Sequence, residues 1–158
     1  KPIYNLVYRL LGDREEAADV TQETFVAAYR GWKSFRGESA EYTWLYRIAV
    51  NLCKNRFRQR DRRQRYEGPS LDDASLADDQ HADGPDGIVE RKQLKEMIEQ
   101  AISGLPDDYR IVAVLRDLRG LSYAEIAAVT DLSIDVVKTR LARARNMLRK
   151  KLGGYIEG

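Results

Sequence analysis

The chain has 158 residues, 43% hydrophobic and 33% charged, with a formal net charge of only +2. That size and balance suit one ordinary domain or two small ones and a helix-rich fold. No run of 18 or more apolar residues is present, so no membrane-spanning helix is expected. Cys53 and His81 are the single cysteine and histidine, far apart, which excludes an internal disulfide and a zinc site built on His and Cys ligands.

Apolar positions recur at helical spacing nearly throughout, and no strand pattern stands out. A first helix is predicted over residues 2–11, stopped by Gly12. Asp13 with Glu16 reads as a capping box for a second helix reaching Trp32, with Phe25, Ala28, Tyr29 and Trp32 as its apolar face. Residues 34–41 form a polar loop carrying Phe35. A third helix follows over 42–63, with Trp44, Leu45, Ile48, Ala49 and Leu52 as its buried seam. Residues 67–87 hold three Gly, two Pro and many Asp, a composition that buries too little surface to offset ordering entropy, and they read as a flexible linker.

Beyond the linker, a helix over 88–103 ends near Gly104. Pro106 opens the next, over 107–119, and Gly120 closes it. Ser122 and Glu125 form a capping box for a helix over 123–129, and Ser133 caps a last helix over 134–152. The expected fold is all-α, with two small helical domains joined by a flexible acidic linker. The domains are expected over 1–66 and 93–158, with the linker over 67–92. The chain begins at Lys1 inside a helix-like segment, so residues before it are expected to be missing.

Charge is distributed in blocks that the near-zero sum hides. Residues 54–65 carry seven cations and one acid, 67–90 carry eight acids and no Lys or Arg, and 138–151 carry seven cations and no acid. Like charge gathered in this way repels itself unless something anionic lies against it.

The segment LSYAEIAAVTDLSIDVVKTRLARARNML reads as helix, short turn, helix. Ile126, Ala127, Leu132, Val136, Val137 and Leu141 would lock the pair. Lys138, Thr139, Arg140, Arg143 and Arg145 then lie outside that core on the second helix, which in a helix-turn-helix enters the major groove. Cations there meet phosphates or guanine edges, and Thr can meet a base or a phosphate. The bland alternative is a solvated basic face on a helical hairpin. On the third helix, Asn51, Asn55, Arg58 and Arg62 fall on one stripe. Asn can read base edges, Arg can track a backbone, and Phe35 can stack on an exposed base. Equally, Phe35 can be a core residue and the basic end a solvated terminus. Asp19, Gln22 and Glu23 share a face of the second helix, which by spacing alone is a solubility patch or a partner surface.

The stretch DREEAADVTQETFVAAYRGWKSFRGESAEYTWLYRIAVNLCKNRFRQRDRR resembles region 2 of the sigma-70 family of bacterial RNA polymerase factors, in its extracytoplasmic function (ECF) group. LPDDYRIVAVLRDLRGLSYAEIAAVTDLSIDVVKTRLARARNML resembles region 4 of the same group. The match covers nearly the whole chain, in the family's order. It implies that Asp19, Gln22 and Glu23 grip the clamp helices of the largest polymerase subunit, and that the flap of the second subunit is a further polymerase contact. Phe35 to Asn51 would capture a flipped base of the promoter −10 element. Asn51, Lys54, Asn55 and Arg58 would hold the separated strand and its phosphates, with Arg62 further along the stripe. Lys138, Thr139, Arg140, Arg143 and Arg145 would read the −35 element as duplex. The resemblance departs at Ala142, where sigma-E-like members carry a larger side chain, so the −35 sequence read here is expected to differ.

The resemblance further implies an anti-sigma protein, often membrane-bound, that masks these surfaces, and a cytoplasmic location. It implies no cofactor and no catalytic residue, since the polymerase does the chemistry. Base flipping costs a few kcal/mol, which a base pocket and phosphate contacts can offset. Two weak readers on one tether, at unfixed spacing, are expected to bind promoter duplex poorly without polymerase. A dimeric helix-turn-helix regulator would instead bind duplex tightly alone, and a polymerase adaptor would not need two basic readers. No paired carboxylates in a plausible pocket, phosphate-cradling Gly loop or metal cluster supports an enzyme.

Overall fold

The computed structural model describes residues 1–32, 41–67 and 86–156. Residues 68–85 of the expected linker, with His81 among them, and Phe35 lie outside these described residues, whereas 86–92, also expected in the linker, are helical and begin α4. Among the described residues every regular element is helical. In order they are α1 (Pro2–Leu11), α2 (Arg14–Gly31), α3 (Glu41–Glu67), α4 (Asp86–Ser103), α5 (Asp107–Ala113), α6 (Tyr123–Thr130) and α7 (Ile134–Ile156); α5 runs on as a π-helical turn over Val114–Leu118. None of these helices is long and apolar enough to cross a membrane.

The punctuation follows local chemistry. Gly12 adopts φ 74°, where a side chain is strained, and its N–H closes α1 on Tyr8 O. Asp13 Oδ1 accepts from the N–H groups of Glu15 and Glu16 at 2.8 and 3.1 Å. The other half of that expected box does not form, because the Glu16 carboxylate accepts from Arg60 instead. At α6 both halves form: Glu125 N–H donates to Ser122 Oγ at 3.1 Å, and Ser122 N–H donates to Glu125 Oε1 at 2.9 Å. Gly120 closes the π-turn with φ 71°. Ser133 Oγ accepts from Val136 N–H at 3.2 Å and starts α7.

In the first unit α1, α2 and α3 pack on one another. Leu6, Val7 and Leu10 of α1 are fully enclosed, and each contributes about 1.5–3 kcal/mol by leaving water. The buried face of α2 is not the aromatic one. Ala17, Val20, Thr24 and Ala28 face the core, while Phe25, Tyr29 and Trp32 are 49%, 86% and 56% exposed. Small side chains let α2 approach its neighbours closely. Thr24 tolerates burial because its hydroxyl donates back to Val20 O at 2.7 Å. The seam of α3 is likewise rotated from the expected one. Tyr46, Ala49, Val50, Cys53 and Phe57 are buried, whereas Trp44, Leu45, Ile48 and Leu52 are only half-buried.

The reason for that rotation is a second neighbour. α6 packs on α3, and α1 touches both α5 and its π-turn. One apolar cluster therefore runs from Leu6 and Leu10 through Phe57 into Val112, Leu115, Ile126 and Leu141. The sequence reading left the two readers at unfixed spacing; here a shared core fixes it. In the second unit α7 lies against α4, α5 and α6.

Candidate nucleic-acid interface

With Tyr46, Ala49, Val50, Cys53 and Phe57 turned inward, the opposite side of α3 is left to solvent. Asn51, Asn55, Arg58 and Arg62 are exposed along it, and Lys54 is half-buried at its edge. Asn55 Oδ1 accepts from Arg58 Nη1 at 3.1 Å, which holds both heads on one stripe. The structure thus brings five of the six residues expected at the −10 element onto one helix, the sixth, Phe35, being outside the described residues. Not every cation in this block faces outward. Arg56 pairs with Glu23 at 2.8 Å, and Arg60 donates to Leu11 O at 2.8 Å and to the Glu16 carboxylate. These two tie α3 to the first two helices.

On α7 the second set forms a surface of mixed freedom. Lys138, Thr139 and Arg143 are exposed, and Arg140 and Arg145 are half-buried. Arg145 donates to Asp117 at 3.2 Å, and this hydrogen bond holds its guanidinium above the usual arginine range. Arg140 lies 3.9 Å from Asp108. Thr139 Oγ1 donates to Asp135 O at 2.9 Å. Two cations approach the Tyr123 ring, Arg116 at 4.7 Å and Lys138 at 5.9 Å from its centroid.

Two apolar residues join this surface, one of them against expectation. Val136, read as core, is 38% exposed, and Ile134 is 43% exposed. The buried stripe of α7 runs through Val137, Leu141 and Ala144, at i, i+4 and i+7, and Val136 falls beside it. Apolar side chains at the start of a recognition helix suit contact with thymine methyl groups.

Asp19 and Gln22 on α2 are exposed, and Glu23 is exposed although paired with Arg56. The exposed apolar side chains of Phe25, Val26 and Tyr29 continue from them along the helix, so this patch is part acidic and part apolar.

The most informative residues are ones the sequence reading passed over. Arg110 is buried at the contact between the two units. Tyr42, at the start of α3, donates its hydroxyl to Glu125 Oε2. That bond holds the Glu125 carboxyl below its ordinary range and is the largest cause raising Tyr42 above the usual tyrosine value. Glu125 was legible only as a cap, and nothing local marks Arg110 or Tyr42. Cys53 is buried, and burial pushes its thiol up to about 12, as suits a packing residue. Among the described residues no group of three or more His, Cys, Asp or Glu could hold a metal.

Two family models match, in the order expected: sigma-70 region 2 over residues 1–63, and sigma-70 region 4 over residues 95–148. The chain is 40% identical to the RNA polymerase sigma-H factor of Pseudomonas aeruginosa over 154 residues, 95% of this chain and 80% of that one. It is 41% identical to the ECF RNA polymerase sigma-E factor of Haemophilus influenzae, over 88% of this chain and 76% of that one. The sigma factor RpoE of Bartonella quintana, solved in complex with the anti-sigma factor NepR, superposes with a TM-score of 0.76 at 25% identity, covering 96% of this chain and 90% of that one. CnrH in complex with the cytosolic domain of CnrY gives 0.66 at 25% identity, covering 96% and 81%. With both regions matched in order and both surfaces present, the chain belongs to the sigma-70 family, in its ECF group of factors that direct RNA polymerase to promoters.

Proposed function

We propose that residues 1–66 carry polymerase clamp binding and −10 reading, that 67–92 form an acidic linker, and that 93–158 read the −35 element. The linker's negative charge suits a polymerase channel that later holds RNA. Asp19, Gln22 and Glu23 grip the clamp helices, and the neighbouring apolar surface of α2 enlarges that contact. Asn51, Lys54, Asn55, Arg58 and Arg62, with Phe35, hold the separated −10 strand. Lys138, Thr139, Arg140, Arg143 and Arg145 read the −35 duplex through phosphates and base edges. The protein supplies no catalytic step and takes no cofactor; it acts in the cytoplasm on a stress- or signal-responsive set of promoters. An anti-sigma protein, membrane-anchored in some systems, restrains it.

The observation that carries this reading is the pair of solvent-facing basic surfaces, on α3 and α7, on a frame that matches sigma regions 2 and 4 in order. Support for the anti-sigma partner is the likeness to two factors solved with such proteins. The test is run-off transcription with core polymerase on a pool of promoter fragments. Transcripts with defined starts that vanish on Asp19→Lys or Asn51→Ala are expected. Absence of stimulation, together with tight duplex binding by the protein alone, would point to an ordinary regulator instead.

A further inference from the structure

The outward face of α7 has an axis that is not cationic. Val137, Leu141 and Ala144 are the buried stripe of this helix. At about 3.6 residues per turn, the positions opposite that stripe are Asp135, Thr139, Ala142 and Asn146, and all four are exposed. Lys138 flanks them on one side and Arg143 on the other, both exposed as well. The first three axial residues lie in the N-terminal part of α7, the part of a recognition helix that meets base edges. Flanking cations suit the phosphates along the two walls of the groove, which leaves the axis to face its floor.

Two of the axial residues present acceptors. Asp135 is the one acid of α7, against seven Lys and Arg. Among the described residues its carboxylate has no ion-pair or hydrogen-bond partner. Lys138, three positions on and within reach, lies instead 5.9 Å from the Tyr123 ring centroid. Arg140 and Arg145 lie toward Asp108 and Asp117, at 3.9 and 3.2 Å. Thr139 Oγ1 donates to Asp135 O at 2.9 Å, which spends its one hydrogen on the helix and leaves its lone pairs for other donors.

A first-turn acid also complements the helix dipole, but the start of α7 already has a cap in Ser133 Oγ. A carboxylate on a face turned to DNA repels phosphate, and it weakens binding unless it meets a donor. The base donors of the major groove are cytosine N4–H and adenine N6–H. Adenine sets its N7 acceptor beside that donor, which opposes a carboxylate, whereas cytosine sets no acceptor of its own there.

We propose that Asp135 is a specificity-determining residue of the −35 reader. Its carboxylate accepts from cytosine N4 in the base pair under the first turn of α7. Thymine is rejected there, because its O4 acceptor takes the place of the cytosine donor. This inference rests on the −35 reading above and deepens it by naming a base and the atom that selects it. The flanking cations bind any sequence, and Asp135 gives up part of that attraction for discrimination.

The test uses the full chain with core RNA polymerase on promoter templates randomised through the −35 element, with transcripts counted by template sequence. The wild type should show a position at which cytosine is favoured over thymine about tenfold, the cost of one mismatched pair. Asp135→Asn keeps the shape and removes the charge. It should cut that preference to about threefold or less and raise the use of adenine there, since Asn pairs with adenine N6 and N7. Asp135→Glu keeps the carboxylate and should still favour cytosine over thymine. The readout is a ratio between templates, so any loss of folded protein cancels.

A uniform change across all templates in Asp135→Asn, with base preferences intact, reduces Asp135 to a matter of charge or helix start and overturns the proposal. So does a wild type whose −35 preferences include no cytosine that responds to Asp135→Asn, or an Asp135→Glu that loses the preference as Asn does. A wild type whose transcription ignores the −35 sequence altogether is a different result: it overturns the −35 reading itself, and the role of Asp135 falls with it.

Discussion

Two arginines in the cationic end of α3 stand two positions apart, and they differ in what they touch. Arg60 donates to Leu11 O at 2.8 Å and to the Glu16 carboxylate, while Arg62 is exposed. Arg60→Ala removes a cap from the last turn of α1 and one half of an ion pair. A hydrogen bond to a charged group contributes about 1.5–3 kcal/mol when shielded. The Arg60 side chain is 35% exposed and Glu16 26% exposed, and exposure lowers that figure, giving about 1–2 kcal/mol in total. With a urea slope of about 2 kcal/mol/M for a chain of this size, the midpoint should fall by about 0.5–1 M. Arg62→Ala should stay within about 0.5 kcal/mol of wild type. The order reverses in DNA binding. With core polymerase and single-stranded −10 DNA, Arg62→Ala should reduce the dependence of log affinity on log salt by about 0.7, the loss of one phosphate contact. Arg60→Ala should leave that slope unchanged. Equal midpoints for the two variants, or an Arg60→Ala slope that falls with that of Arg62→Ala, would refute the division of this block into structural and DNA-facing cations.

Further outcomes follow from other residues. The Tyr42 hydroxyl, with the capping bonds at Ser122, depresses the Glu125 carboxyl, so its contribution is complete above the ordinary value of 4.5 and is lost as pH falls through the lower folded value. The gap in Tm between wild type and Glu125→Gln, which can keep the cap, should therefore narrow between about pH 6 and pH 3; a constant gap would remove the bond from the account. Cys53 is fully enclosed and its thiol is pushed up to about 12, so an aromatic disulfide reagent at about pH 8 should label it only at the rate of unfolding, and labelling at the rate of a free thiol would contradict its burial. Asp131 holds φ 60° at the end of α6, and Asp131→Gly should raise stability by about 0.5–1 kcal/mol in thermal melts, with no gain counting against strain there. Ile126→Ala opens space in the core that links α6 to α7, and a cost of about 2–5 kcal/mol in chemical denaturation is expected.

Helix positions were legible because what starts and stops a helix lies within three or four residues of its end. Gly12, Asp13, Pro106, Gly120, Ser122 and Ser133 all mark element ends, and most do so through bonds to their own neighbourhood. The exposed stripe of Asn51, Asn55, Arg58 and Arg62 was readable for the same reason, since helical spacing alone puts those side chains together. Which face of a helix turns inward was less legible. α2 offers a small-residue face and an aromatic one, and periodicity scores the aromatic face higher. The structure buries Ala17, Val20, Thr24 and Ala28, because close helix approach rewards small side chains whose polar groups satisfy themselves. Only tertiary structure decided how the two units meet. The Arg110 contact to Leu10 spans 100 residues, and that of Tyr42 to Glu125 spans 83. No local pattern encodes such pairings, because they depend on two preformed surfaces whose shapes and unfilled donors fit only once each unit has folded.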